Sequence, residues 1–179
     1  FTGQIFVNTL VGVDQLTLDF STGDFNRSVQ FLAGDPTSGL SADRLRLTGG
    51  NFNSAVFYLN DATDGRVELT GSNTIFYTNV ETISLDSDNA NTTAYFGDFS
   101  NNIIVQQFDA DVPVTGIVST GGTLLRLEHG PSVSLTINGG DGFDTISASE
   151  FAEVPLKAKN TSQSVSNRDR KASEARAVH

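Results

Sequence analysis

The sequence predicts an all-β chain, a right-handed parallel β-helix or β-solenoid of about seven coils, and three observations carry that expectation. Short apolar runs alternate with polar residues, clusters of turn-forming residues separate them, and the runs recur about every 20 residues. No stretch shows a 3.6-residue apolar period, so helices are not expected.

The alternating runs are, in order, Leu16-Thr17-Leu18, Leu45-Arg46-Leu47, Val67-Glu68-Leu69, Ile83-Ser84-Leu85, Ile103-Ile104-Val105, Leu125-Arg126-Leu127 and Leu135-Thr136-Ile137. Alternation sends successive side chains to opposite faces, as a half-buried strand requires. Between them stand STGD (21–24), TGG (48–50), DATDG (61–65), DSDNAN (86–91) and NGGDG (138–142), which supply turn chemistry.

From Leu47 the runs end at Leu69, Leu85, Val105 and Leu127, and Phe57, Phe76 and Tyr95 form a second series with steps of 19. Such a period marks stacked supersecondary units. Each coil adds a rung of about 4.8 Å, so seven coils make a rod on the order of 35 Å. Phe57, Phe76 and Tyr95 are then expected to form an internal aromatic stack. The alternative is an antiparallel β-sandwich, whose strands recur at similar intervals. One solenoid domain is expected over 1–152, and 153–179 reads as a basic disordered tail or linker.

Charge follows the same division. Residues 1–152 carry 18 acidic side chains against five arginines (Arg27, Arg44, Arg46, Arg66, Arg126), a balance of −13. Residues 153–179 carry six basic and three acidic groups, within a net −10. So acidic a body repels nucleic acid and anionic lipid headgroups, both of which are bound through Lys and Arg. No run approaches 18 apolar residues, so no membrane insertion is expected. With no cysteine there is neither a disulfide framework nor a thiolate metal site. A chain that begins at Phe1 and holds no Met reads as a segment of a longer protein.

The sharpest motif is Gly139-Gly140-Asp141-Gly142-Phe143-Asp144-Thr145-Ile146-Ser147. It fits the nonapeptide G-G-x-G-x-D-x-U-x of calcium-binding β-rolls at every specified position. Glycines bend the turn and aim carbonyls at an ion, Asp supplies a carboxylate, and the apolar residue anchors the next strand. Gly139, Gly140, Asp141, Gly142 and Asp144 are therefore the candidate calcium residues, with a plain glycine-rich coil turn as the alternative. The G-x-D-x-U core is echoed at Gly12-Val13-Asp14-Gln15-Leu16 and, with Ser for Gly, at Ser41-Ala42-Asp43-Arg44-Leu45.

Other features carry less chemistry. Asp86-Ser87-Asp88-Asn89-Ala90-Asn91 lacks the Gly and Glu that an EF-hand loop needs. Asp109 and Asp111 form a carboxylate pair of the kind glycosidases use, and read more simply as solvated turn residues. His129 stands at a strand-to-turn junction with no accompanying nucleophile or metal motif, and His179 is terminal. Sequons begin at Asn26, Asn91 and Asn160.

The passage DRLRLTGGNFNSAVFYLNDATDGRVELTGSNTIFYTNVETISL, with VNTLVGVDQLTLDFSTGD before it and LTINGGDGFDTISASEF after it, resembles repeats of very large bacterial extracellular proteins of the planctomycete type. Those proteins mix degenerate hemolysin-type (RTX-like) calcium-binding repeats with β-helical stretches. The resemblance implies an extracellular or cell-surface location and calcium at the 139–147 turn, principally on Asp144 and the glycine backbone.

The expected function is a non-enzymatic structural or adhesive module of a secreted or cell-surface protein, rigidified by calcium. Its expected partners are neighbouring repeats of the same parent chain, surface glycans and other cell-surface proteins. The alternative is a carbohydrate-active or glycan-binding β-helix, a polysaccharide lyase or glycoside hydrolase in its enzymatic form.

Overall fold

The computed structural model describes residues 3–34, 43–61, 63–97, 100–107, 114–119, 124–128, 133–149 and 156–159. The protein is all-β, with no helix among the described residues. Its strands are β1 (Ile5–Asn8), β2 (Gln15–Asp19), β3 (Val29–Leu32), β4 (Arg44–Leu59), β5 (Gly65–Leu69), β6 (Ile75–Thr78), β7 (Thr82–Phe96), β8 (Asn102–Gln107), β9 (Thr115–Ser119), β10 (Leu124–Leu127), β11 (Ser134–Asn138), β12 (Thr145–Ser149) and β13 (Leu156–Lys159). All seven alternating runs lie in strands, and all thirteen strands join one mixed sheet.

Parallel registers set like residues on like. β2, the first part of β4, the first part of β7 and β10 pair in parallel, aligning Leu18, Leu47, Leu85 and Leu127, and beside them Leu16, Leu45, Ile83 and Leu125. All but the partly buried Leu16 are buried. A second stack runs through the later part of β4, the later part of β7, β11 and β13. A third joins β1, β3 and β6, putting Val7 on Phe31 on Tyr77. β8 and β12 form a fourth, Ile103 on Ile146.

Along the ladder from β4 through β7 to β10 the repeat that stacks is about twice the one expected, whereas β1–β3 and β11–β13 stack at offsets of 24 and 21 residues. Leu47 meets Leu85 and Leu85 meets Leu127, offsets of 38 and 42 residues. The chain makes an antiparallel excursion in each circuit: β5 and β6 between β4 and β7, β8 and β9 between β7 and β10. Leu69 and Val105, the alternate members of the near-20 series, lie on those excursions, opposite Ala55 and Ile117. The pairing of β4, β7 and β10 therefore does not follow a single 20-residue step. The internal stack of Phe57, Phe76 and Tyr95 does not form either: Phe57 is buried, whereas Phe76 and Tyr95 face solvent. Among the core aromatics, the buried Phe20 meets the partly buried Phe25 and the buried Phe52 edge-on at 5.0 and 5.2 Å between ring centroids.

Two of the expected turns are corners within long strands. β4 runs through Gly49-Gly50 with only a register shift between Thr48 and Asn51. Both glycines have positive φ (70° and 76°), and a Cβ on Gly49 would lie 2.8 Å from the Ser21 nitrogen. β7 follows this bend through DSDNAN, whose turn preference yields to pairing with the rung already laid down. Amides seal the corner: Asn91 Nδ2 donates to the Asn53 carbonyl at 3.1 Å, and Ser134 Oγ donates to Asn91 Oδ1 at 2.7 Å. β13 falls inside the segment expected to be a disordered tail and pairs in parallel with β11. Leu156-Lys157-Ala158-Lys159 does alternate, a pattern hidden among charged residues. The remainder of 153–179 lies outside the described residues, as do Asp109, Asp111, His129 and Asn160.

Leu85 sits between Leu47 and Leu127 with no exposure. Leu85→Ala is expected to cost about 2–5 kcal/mol, read as a lowered urea midpoint. Leu10→Ala, at a position 79% exposed, is the control and should cost under about 0.5 kcal/mol. Equal losses at the two positions would deny that the leucine ladder holds the parallel strands together.

Candidate functional site

Three acids, two of them (Asp43 and Asp144) from the G-x-D-x-U cores and the third Glu81, stand just before strands and accept a backbone N–H from an earlier segment. Asp43, just before β4, takes the Asp14 N–H on Oδ1 at 2.7 Å. Glu81, just before β7, takes the Asp43 N–H on Oε2 at 2.7 Å. Asp144, just before β12, takes the Asn101 N–H on Oδ1 at 2.9 Å. In each case the acid before the later strand clamps the main chain of an earlier segment. Asp43 and Asp144 are buried at 0% and 4% exposure, and each is engaged through its Oδ1 by a main-chain N–H.

The 139–147 turn brings two of its five candidate residues together. Asn101 Nδ2 donates to the carbonyls of Gly97 and Gly139, both at 3.2 Å, and to Asp144 Oδ1 at 3.3 Å. Gly139 packs so closely on Asp144 that a Cβ would lie 2.6 Å from Oδ2. Gly140 is turned the other way, its N–H donating to Asn138 Oδ1 at 3.1 Å. Asp141 and Gly142 face solvent. Three oxygens of the kind calcium takes therefore surround an amide NH2 rather than an ion. As the side chains stand, this donor set does not fit a cation, which would need Asn101 to turn its amide oxygen inward. Among the described residues no three His, Asp or Glu side chains gather in a metal-binding group.

The sequence reading missed Asn101. It lies 43 residues before Asp144, two steps of the near-20 period, and the turn pattern alone carries no sign of it.

Two outward-facing grooves were also missed, because register assembles them from distant segments. One, of about 330 Å³, is lined by Arg44, Arg46 and Arg126 together with Ser84, Asp86 and Glu128. Register puts Arg46 and Arg126 on either side of Ser84. Arg46 pairs with Asp86, and Arg126 with Glu128 at 3.4 Å. The other groove, of about 400 Å³, lies where β3 and β6 meet the β4–β5 turn and is lined by Gln4, Gln30, Asn60, Asp64 and Phe76. Tyr77 closes its floor. Burial pushes the Tyr77 hydroxyl well above the ordinary phenol range, with Asp61 and Asp64 adding to the shift, so it stays a neutral donor to the Tyr58 carbonyl.

Asp43 gives the direct test of the clamps. Asp43→Ala strips the Asp14 N–H of its acceptor and is expected to cost about 1–3 kcal/mol. Asp43→Asn keeps an oxygen facing that N–H and should cost less. Denaturant melts of the two variants check this, and equal losses would remove the clamp as the source of stability.

No family model matches this chain, nor does any curated protein or solved structure.

Proposed function

We propose that the chain is a β-solenoid segment serving as a non-enzymatic structural and adhesive module of a secreted or cell-surface protein. The observation that carries the reading is the pairing of β4 with β7, thirteen residue pairs in parallel around a corner. Eight of the twelve strand ladders are parallel, whereas an antiparallel sandwich builds its sheets from antiparallel neighbours. A stack of this kind presents rows of outward side chains on a stiff support, which suits a spacer and a binding surface. Neighbouring repeats of the parent chain would continue the stack, and surface glycans or other surface proteins would meet its sides.

Adhesion and turnover are separated by one experiment. Beads coated with the chain are incubated with immobilised neutral glycans, and soluble sugar is assayed in the same wells. Retention without sugar release is expected. Release that disappears in Asp109→Ala or Asp111→Ala would replace the module with a glycoside hydrolase or lyase.

Calcium enters the reading as a rigidifier. Asp144 and the carbonyls of Gly97 and Gly139 would hold it, with Asn101 rotated to add its amide oxygen. Binding to the folded form alone raises the melting temperature. A rise in millimolar calcium, reversed by chelator and larger in Asn101→Asp, is the expected result. A melting curve that calcium leaves unmoved in both proteins would discard the ion and keep the fold.

A further inference from the structure

The outward faces of the sheet differ in kind. Across β2, β4, β7 and β10, one row reads Thr17, Arg46, Ser84, Arg126. Across β1, β3, β6, β5, β4 and β7, another reads Phe6, Gln30, Phe76, Arg66, Tyr58, Tyr95. Four of these six residues are aromatic, and Phe6, Phe76 and Tyr95 are 56%, 41% and 38% exposed. Scattered exposed apolar residues need no explanation, but a row of them on one face does.

Within the row, Arg66 is already engaged. Its guanidinium lies 3.6 Å from the centre of the Tyr58 ring and its Nε bonds Glu68 Oε1 at 2.9 Å. Tyr58 and Tyr95 stack on one another at 5.1 Å. Phe6 and Phe76 have no such ring partner among the described contacts. They flank Gln30 from adjacent strands, about 9.6 Å apart by strand spacing. Beside Phe76 opens the 400 Å³ groove, whose polar lining includes Gln4, Gln30, Asn60, Asp64 and Thr78, with Gln4 Nε2 donating to Gln30 Oε1 at 3.4 Å.

We propose that this groove binds a neutral linear glycan, one hexose lying on Phe76 and the chain crossing the strands toward Phe6. The inference rests on the adhesive reading and names the class of ligand. A phenyl ring offers an apolar surface to the C–H face of a sugar. Primary amides present donors and acceptors to hydroxyls, and Asp64, whose Oδ1 already accepts from the Asn79 N–H and Thr63 Oγ1, offers its Oδ2 as a further acceptor. The lining includes one acid and no base, on a chain of net charge −10. An anionic polymer is therefore disfavoured here, and an uncharged polyol is not.

The test is titration of the ¹⁵N-labelled chain with cellohexaose, laminarihexaose and mannohexaose, and with a hexauronate. At least one neutral hexaose is expected to shift the amides around Gln30 and Phe76. Its affinity should fall about tenfold or more in Phe76→Ala, with the melting temperature unchanged. Phe143→Ala, at a position 75% exposed and outside the groove, should bind as the parent does. Gln30→Ala provides a second variant in which to see the loss. No shift with any neutral hexaose, binding of the hexauronate alone, or affinity unmoved by both Phe76→Ala and Gln30→Ala would overturn the proposal. Bead adhesion that survives in Phe76→Ala would overturn this groove while leaving the adhesive reading in place.

Discussion

The constraint on which the molecule depends is that a later strand must lie in parallel on an earlier one with like residues in register. The β4–β7 pairing meets it twice, before and after a corner, in strands of 16 and 15 residues. Because side chains alternate across a strand, a slip of one residue would turn Ile83 and Leu85 outward and bury Ser84 and Asp86. The hydrophobic ladder and the parallel register therefore enforce one another. Closing the longer circuits, of 37 to 46 residues, costs chain entropy, and the antiparallel excursions offset part of it by burying Leu69 and Ile117 along the way.

Register also explains the buried acids. At the start of each rung the ladder has not yet begun, and a main-chain N–H there would lack an acceptor. An acid one residue before the strand reaches to the chain entering the neighbouring strand and supplies it. The need is the same at Asp43, Glu81 and Asp144, and the G-x-D-x-U pattern marks it only at Asp43 and Asp144. The G-x-D-x-U core supplies a hydrogen bond between distant segments at Asp43 and Asp144, and at 139–147 an asparagine amide donates to the Gly139 carbonyl and to Asp144.

Strand identity was legible in the sequence because it is local: Leu45-Arg46-Leu47 needs nothing beyond itself to declare a half-buried strand. Partnership was not. Leu47, Leu69 and Leu85 are indistinguishable as members of one series, yet Leu69 lies on an excursion and the other two on the stack. Deciding between them requires the direction of each return, which no alternation pattern encodes. Turn signals failed for a related reason. DSDNAN has strong local turn propensity, but its backbone groups find partners in β4, and tertiary pairing overrides the local preference. Gly139 and Asp144 were readable from their spacing, whereas Asn101, their centre, depends on the 43-residue offset.

The same arithmetic that stacks leucines inward aligns every outward position into a row, so a surface on this fold is assembled from residues that are far apart in sequence. Of the five arginines of the acidic body, Arg46 and Arg126 meet across Ser84, and each takes an acid on its own strand or the next. Their charge is spent within the face. The aromatic row has no such closure at Phe6 and Phe76, and exposed rings on a sheet are a hazard, since two copies can join through them. A net charge of −10 opposes that encounter over a Debye length of about 8 Å at physiological salt, while leaving an uncharged ligand free to approach. Acidity and exposed aromatics thus make one design: the first keeps the second available.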